Sequence, residues 1–406
     1  MHSQSEIPDH EPTHPGVDVT IVANDIGPVG GMERQLSDLI LGLRRRGNRV
    51  TVIARTCALP EDAGIEFHRV RAPGRPFVIA YPWFMVAGSL ALRRRRNGVV
   101  QATGAIVLNR VDVIAVHYCH QVGPANASRS TRLFRGQVWA ARIMKRLGER
   151  VGFRVNRPTA VVCVSEGVAA EVREHFPSLA GRVLTIHNGV DTETFAPGVR
   201  SEEARARRAS LGLPPEALVA AFVGSEWERK GLEPTIRALA QAPEWSLLIA
   251  GAGEQVGYRL LAERLGVAER IHWLGLTSDV QLVYQMADAF VLPSSYETFS
   301  LVTFEAAASG VPVLATPVSG VRELIDDKRN GFLISRDPTL IADRLARLAA
   351  DPELRRTIAN AARDSALAFA SERMVAEHEA LYMRLSGPSL QGGSASAALP
   401  ASDSAA

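Results

Sequence analysis

What most restricts the fold of this chain is an alternation running through both of its halves. Short apolar segments, each closed by a polar or Gly/Pro-containing loop, give way to stretches whose apolar residues recur at helical spacing. In the second half the order is strand Leu218–Val223, helix Leu232–Ala240, strand Ser246–Ala250, helix Tyr258–Leu265, strand Arg270–Leu274, helix Val280–Met286 and strand Ala289–Leu292. The first half opens with strand Val17–Ala23 and helix Met32–Arg46. It continues with strands Arg49–Ala54, Ile65–Arg71, Val99–Ala102, Asp112–Val116, Thr159–Val164 and Arg182–Ile186. Strands that read as unbroken apolar runs are buried on both faces, so the pattern predicts α/β units with parallel sheets covered by helices. A length of 406 residues suits two such domains. Between them, Ala196–Glu216 carries Pro197, Gly198, Pro214 and Pro215 around a charged stretch and reads as the connection. The expected boundaries are therefore 17–195 and 196–370, with helices Pro338–Leu348 and Pro352–Ala370 closing the second domain. A last helix, Met374–Leu385, falls in 371–386, and the polar tails 1–16 and 387–406 are expected to be disordered.

The chemistry is densest from Ala289 to Pro312, AFVLPSSYETFSLVTFEAAASGVP. Pro293 ends the strand, a loop follows, and Phe299, Val302, Phe304, Ala307 and Ala308 then recur at helical spacing up to a cap at Gly310. The backbone N–H groups of Thr298, Phe299 and Ser300 are expected to be the open donors of that helix start, with Leu301 next in line. Such an end, with the positive pole of the helix dipole, binds anions, and phosphate is the usual one. Glu297 stands in the loop. Glu305, eight positions on, rides the helix, where a carboxylate can accept hydrogen bonds from ribose hydroxyls. The stretch thus suits a nucleoside diphosphate. In the first half, Gly30 and Gly31 open the helix after the first strand and leave backbone accessible to a ligand. His117 ends the strand Asp112–Val116 and points to the crevice where parallel sheets bind ligands, with His120 as the alternative.

The phrase E-T-F-S-L-V-T-F-E resembles the E-x7-E signature of the retaining glycosyltransferases of family GT4, whose fold is GT-B: two Rossmann-like doubly wound domains facing across a cleft. Gly30-Gly31-Met32-Glu33 is similar to the family's G-G-x-E element, which implies donor binding by Gly30 and Gly31, and D-V-I-A-V-H to the segment whose His contacts the transferred sugar, which implies that role for His117. Ser165-Glu166, His187-Asn188-Gly189-Val190-Asp191, Gly320-Val321-Arg322-Glu323 and Asn330-Gly331-Phe332-Leu333 match further family phrases. Gly224-Ser225-Glu226-Trp227-Glu228-Arg229-Lys230-Gly231 resembles the element whose cations hold the donor diphosphate. It departs from the commonest form in having Ser225 where Arg is usual, as a subset including lipopolysaccharide glucosyltransferases does, so Arg229 and Lys230 are the implied clamp. Lysine is scarce here: only Lys145, Lys230 and Lys328 occur among 46 basic residues. The resemblance covers about Val17 to Leu385.

It implies sugar transfer from a nucleotide-sugar, UDP-sugar or GDP-mannose, to a hydroxyl of a glycan or lipid-linked acceptor, with retained configuration. Glu297 would orient the sugar and Glu305 the ribose. The sequence holds no D-x-D and no cluster with metal-ligand spacing, so neither a metal nor another cofactor is expected. A sugar-nucleotide epimerase of the same architecture and a degenerate binding protein are the competing readings. Cys57, Cys119 and Cys163 lack any metal spacing and cannot all pair, and with a polar N-terminus this suggests a reducing, cytoplasmic setting. Charge is uneven. Residues 1–190 hold 25 Lys and Arg against 15 Asp and Glu, whereas 191–406 hold 21 against 28. Residues 129–157 carry nine basic residues and one acid, interleaved with apolar residues at helical spacing. Such a helix either lies on an anionic membrane surface or packs on a core with a solvated Arg face. No nucleic-acid motif accompanies the charge, and no nucleic-acid partner is expected.

Overall fold

A computed structural model describes residues 16–28, 30–74, 76–122, 132–198 and 201–387, and only the backbone of 132–138. Apart from Gly16 and Gly387, the expected tails lie outside these residues, as do residues 129–131 of the basic stretch. The structure forms two compact units. One gathers the chain up to Val162 with Arg173–Leu184 and everything from Val375; the other is Cys163–Val172 with Thr185–Met374.

Up to residue 185 the order is β1 (Asp18–Val22), β2 (Asp25–Ile26), α1 (Gly31–Arg45), β3 (Arg49–Ala54), β4 (Thr56–Cys57), β5 (Glu66–Arg69), α2 (Phe77–Arg95), β6 (Val99–Thr103), β7 (Val113–Val116), α3 (Arg132–Asn156), β8 (Ala160–Cys163), α4 (Glu166–His175) and β9 (Val183–Thr185), all of the first unit except Cys163–Val172, which carries most of α4, and Thr185. Its main sheet has the strand order β5-β3-β1-β6-β7-β8-β9. The pairings of β1 with β3 and β6, of β3 with β5 and of β6 with β7 are parallel. Both faces are apolar, with Ile21, Val52, Val100 and Ile114 at 0% exposure. The chain returns to this unit at its end, within α14 (Ser371–Ser386). Val375 packs so closely on α1 that a Cβ on Gly42 would lie 2.4 Å from its Cγ2. Glu379 accepts from Asn48 Nδ2 and Arg46 Nε, each at 2.6 Å, and Tyr382 donates to Gln101 Oε1 at 2.7 Å.

The second unit continues through α5 (Glu202–Ser210), β10 (Leu218–Val223), α6 (Trp227–Lys230), α7 (Leu232–Leu239), β11 (Trp245–Ala250), α8 (Val256–Arg264), β12 (Ile271–Gly275), α9 (Val280–Met286), β13 (Ala289–Leu292), α10 (Leu301–Ala308), β14 (Val313–Ala315), α11 (Val321–Leu324), β15 (Phe332–Leu333), α12 (Pro338–Ala350) and α13 (Pro352–Leu367). Its parallel sheet is ordered β12-β11-β10-β13-β14-β15.

Two expectations differ from what is seen. The division falls at Leu184/Thr185 rather than at 195/196, so residues 185–195 join the second unit, where Ala196–Glu216 lies as its expected bounds have it. Within that unit Arg208 on α5 is 3% exposed, and its guanidinium donates to the carbonyls of Met286 and Ala217 and faces Asp288 at 3.6 Å. A charged stretch that reads as a linker is thereby anchored to the sheet. The second difference is α2, for which the sequence reading had no element.

Candidate functional site

Both sheets are wound outward from a first strand. In the second unit the chain goes from β10 through β11 to β12 on one side, then crosses to β13 on the other, so β10 and β13 flank the point where the strand order reverses. Ligands bind outside the carboxyl ends of strands at such a point. The loops that leave β10 and β13 there carry Gly224–Gly231 and Pro293–Ser300.

These loops meet through one carboxylate. Glu297, 9% exposed, receives Lys230 Nζ at 3.0 Å, Arg229 Nη1 at 2.9 Å and Ser294 Oγ at 2.9 Å, all on Oε1. Arg229 also grips Glu226 through Nη2 at 2.7 Å and donates to the carbonyl of Tyr296. Glycine makes this approach possible. Gly224 has φ 133°, and a Cβ there would stand 2.6 Å from Lys230 Cε; Gly231 has φ 84°, and a Cβ there would stand 2.3 Å from the carbonyl oxygen of Pro293. The Trp227 indole closes the loop from within by donating to Gly224 O at 2.9 Å. Sequence reasoning therefore brought together Arg229, Lys230 and Glu297, and missed Ser294, whose signal was its place in the P-S-S phrase.

The helix after Glu297 begins later than expected. Thr298, Phe299 and Ser300 precede α10, whose first residue is Leu301. Ser300 adopts φ 69° and its hydroxyl pairs with Thr303 Oγ1 at 2.8 Å, while Phe299, 2% exposed, stacks on Phe304 at 4.1 Å. Packing of Phe299 into the core thus holds the chain out of the helix for two more residues, and the amides of the first turn are those from Leu301 onward. Glu305 is 2% exposed and accepts from the Tyr284 hydroxyl at 3.2 Å.

Beside this loop lies a second carboxylate that sequence reading quoted without a role. Glu323 accepts from the N–H of Glu166 at 3.1 Å and of Gly320 at 3.2 Å, and faces His187 Nε2. Ser165 Oγ donates to Thr298 O at 2.7 Å. Together they tie four separate loops around Phe299. Burial raises the pKa of both Glu297 and Glu323, but their partners outweigh it: Lys230 and Arg229 for the first, His187 and the Glu166 amide for the second. Both carboxyls therefore lie below their usual 4.5. A depressed folded-state value gives stability that is present above the unfolded pKa and lost as pH falls through the folded one. Melting temperature should therefore drop as pH is lowered below about 4.5, and the drop should be shallower in Glu297→Gln and in Glu323→Gln. Parallel curves for wild type and both variants would refute this.

In the first unit the strand order reverses between β1 and β6, and the Gly30–Gly31 loop follows β1. Gly30 has φ 96°, and the Glu33 carboxylate folds back over it, 2.1 Å from where a Cβ would be. Beside it is a cavity of about 210 Å³ lined among others by Asp25, Glu33, Arg55, Phe77, Tyr81 and Phe84. An adjoining recess carries Arg55, Arg69, Arg71 and Trp83. Arg55 Nε donates to Asp25 Oδ1 at 3.0 Å. These residues come from four sequence segments, of which only the one with Glu33 matches a family element. His117 is half-buried; burial, then the nearness of His378, lowers its pKa to about 4. Burial, then Lys145, does the same for His120. Among the described residues no three His, Cys, Asp or Glu side chains are grouped to hold a metal ion.

Two parallel, helix-covered sheets, each with a glycine loop at its switch point, are the fold of the GT-B glycosyltransferases. Solved structures that share it include WaaG, a glycosyltransferase involved in lipopolysaccharide biosynthesis, with TM-score 0.71 and 21% identity over 90% of this chain and 99% of that one. Anabaena HepE in complex with UDP-glucose aligns with TM-score 0.70 and 20% identity over 91% of this chain and 100% of that one. Residues 29–194 match Glycosyltransferase Family 4 and residues 203–365 match Glycosyl transferases group 1. The chain belongs to this glycosyltransferase family and is a transferase. An uncharacterised glycosyltransferase of Methanocaldococcus jannaschii is 28% identical over 363 residues, 82% of this chain and 89% of its own length. The D-inositol 3-phosphate glycosyltransferase of Mycolicibacterium gilvum is 39% identical over 199 residues, 47% of this chain, and the match spans only 43% of that relative.

Proposed function

We propose that the chain moves a sugar from a nucleoside-diphosphate donor, UDP-sugar in preference to GDP-mannose, to a hydroxyl of a glycan or lipid-linked acceptor, retaining the anomeric configuration. The observation that carries the reading is the convergence of Arg229 and Lys230 on Glu297 at the switch point of β10 and β13. Cations fixed there by a buried carboxylate are already oriented before a diphosphate arrives, so they need no reorganisation as charge builds on the leaving oxygen. That two cations stand in place supports a reaction without a metal. HepE, solved with UDP and with UDP-glucose, supports the choice of donor.

In the reaction the acceptor oxygen bonds to the anomeric carbon on the face from which the phosphate leaves. The carbon–oxygen bond to the diphosphate breaks, and the acceptor's proton passes to the departing phosphate oxygen. Arg229, Lys230 and the amides from Leu301 onward stabilise that phosphate, Glu297 orients the sugar, and Glu305 is assigned to the ribose. His117, neutral above pH of about 4, is assigned a hydrogen bond to a sugar hydroxyl. The acceptor is assigned to the cavity beside Gly30, at the cytoplasmic face of a membrane.

The test is calorimetric titration with UDP and GDP, followed by a donor screen read by mass spectrometry with and without candidate acceptors. UDP binding and acceptor-dependent release of UDP are expected. Conversion of the donor sugar without an acceptor would establish the epimerase reading instead, and binding without turnover a binding protein.

A further inference from the structure

Helix α2, FVIAYPWFMVAGSLALRRR, is apolar on every side until its last turn. A helix of that kind is expected either to be buried all round or to face lipid. Phe84, Gly88 and Leu92 do pack inward. Yet Ile79, Trp83, Val86 and Leu90 are 54%, 56%, 56% and 52% exposed, and spacings of four, three and four residues line them up as one outward stripe. Scattered single apolar residues on a surface are ordinary; a contiguous stripe marks an interaction surface.

The stripe has a neighbour. The connections β5 to β6 and β7 to β8 run the same way along the sheet, so right-handed crossovers place α2 and α3 on one face. The two helices touch: Lys145 Nζ sits 4.8 Å from the centre of the Phe77 ring, and Tyr81 lies against Gly148. On α3, Trp139, Leu147, Val151 and Val155 are 67%, 56%, 49% and 42% exposed, and Arg150 and Arg154 are exposed between them. At the end of α2 stand Arg93, Arg94 and Arg95, all exposed. Neither helix turns an acid outward. No Asp or Glu occurs in α2, and the one in α3, Glu149, is 4% exposed and receives the His120 amide and Gln121 Nε2. Among the described residues no helix is long and apolar enough to cross a membrane.

We propose that this α2–α3 face docks on an anionic lipid bilayer, with the Ile79–Leu90 stripe seated among the acyl chains and the arginines on lipid phosphates. The proposal rests on the glycosyltransferase reading only in saying where a lipid-linked acceptor is met, since Trp83 belongs both to the stripe and to the recess beside the cavity. Charge decides between occupants. A second copy would bring an acid-free cationic face against its like, whereas anionic headgroups neutralise it, and apolar insertion adds to the attraction.

The experiment is co-sedimentation of the full chain with vesicles of phosphatidylcholine alone and of phosphatidylcholine mixed equally with phosphatidylglycerol, at low and high salt. Binding to the anionic vesicles, weakened by salt, is expected. The variant I79E/V86E/L90E should partition about tenfold more weakly or worse. In R93Q/R94Q/R95Q each lost charge should weaken binding roughly fivefold. All three glutamates replace exposed residues; should that protein fail to melt cooperatively, Val86→Glu alone serves. UDP titration is run alongside and should be unchanged in every variant, so loss of UDP binding would count against the transferase reading and not against the docking surface. Failure of wild type to bind, binding indifferent to the stripe, or equal binding to neutral vesicles overturns the proposal. So does a vesicle-free dimer that the glutamates dissociate.

Discussion

Lys230→Ala should lower sugar transfer by a factor of about a hundred to a thousand, the usual loss when one oriented donor is taken from a developing anion. Lysine suits the position because its stem runs along the bare backbone of Gly224 and delivers a compact charge to Glu297 at 3.0 Å. Arginine there would have to fit a planar fork into the same passage, so Lys230→Arg should not restore the rate. The loss should appear mainly in kcat, with a smaller effect on KM, because the charge it meets grows as the bond breaks. Initial rates with a donor identified by the screen check this, and activity within about threefold of wild type would mean that Lys230 does not meet the leaving group. Glu297 loses one of its two cations in this variant, so a melting curve should accompany the kinetics to separate the two effects.

Arg208→Ala should cost about 3–5 kcal/mol of stability in the second unit, the range expected when one partner of a buried charge pair is removed. The deleted guanidinium serves the carbonyls of Met286 at 2.6 Å and Pro214 at 3.4 Å, that of Ala217, and Asp288 at 3.6 Å. None of these regains a protein donor from alanine, and unpaired buried acceptors are costly. Asp288 keeps the N–H of Val219 at 3.0 Å but loses the guanidinium charge. Urea unfolding followed by tryptophan fluorescence measures the change. A difference below about 1 kcal/mol would mean that water fills the gap and hydrates the freed groups.

The sequence was most legible where the burial is two-sided. β10, β13 and α9 begin and end at the residues expected, because unbroken apolar strands and a clear helical period leave little choice. Arg229, Lys230 and Glu297 were legible as neighbours because the two short phrases that carry them follow strands on either side of one switch point. Position within the local backbone was less so. Phe299 fits the helical period of α10 but is spent on Phe304, and that single packing choice moves the helix start to Leu301. Helix α2 escaped notice for the opposite reason, since a segment apolar on every side has no period to detect. Arg208 hid among charged neighbours, where nothing in the sequence distinguishes a buried guanidinium from a solvated one. The cavity beside Gly30 gathers residues from four separate segments, a proximity that only the sheet creates.

The return of α14 to the first unit bears on how the molecule comes into being on the ribosome. Val375, Glu379 and Tyr382 pack on α1 and on the first sheet, yet they follow the whole second unit in chain order. The N-terminal part of this unit must therefore wait, with Gly42, Asn48 and Gln101 lacking these partners, while the second unit is being made. During that interval it is a natural client for chaperones, and a nascent chain released before residue 375 would leave that part without these contacts.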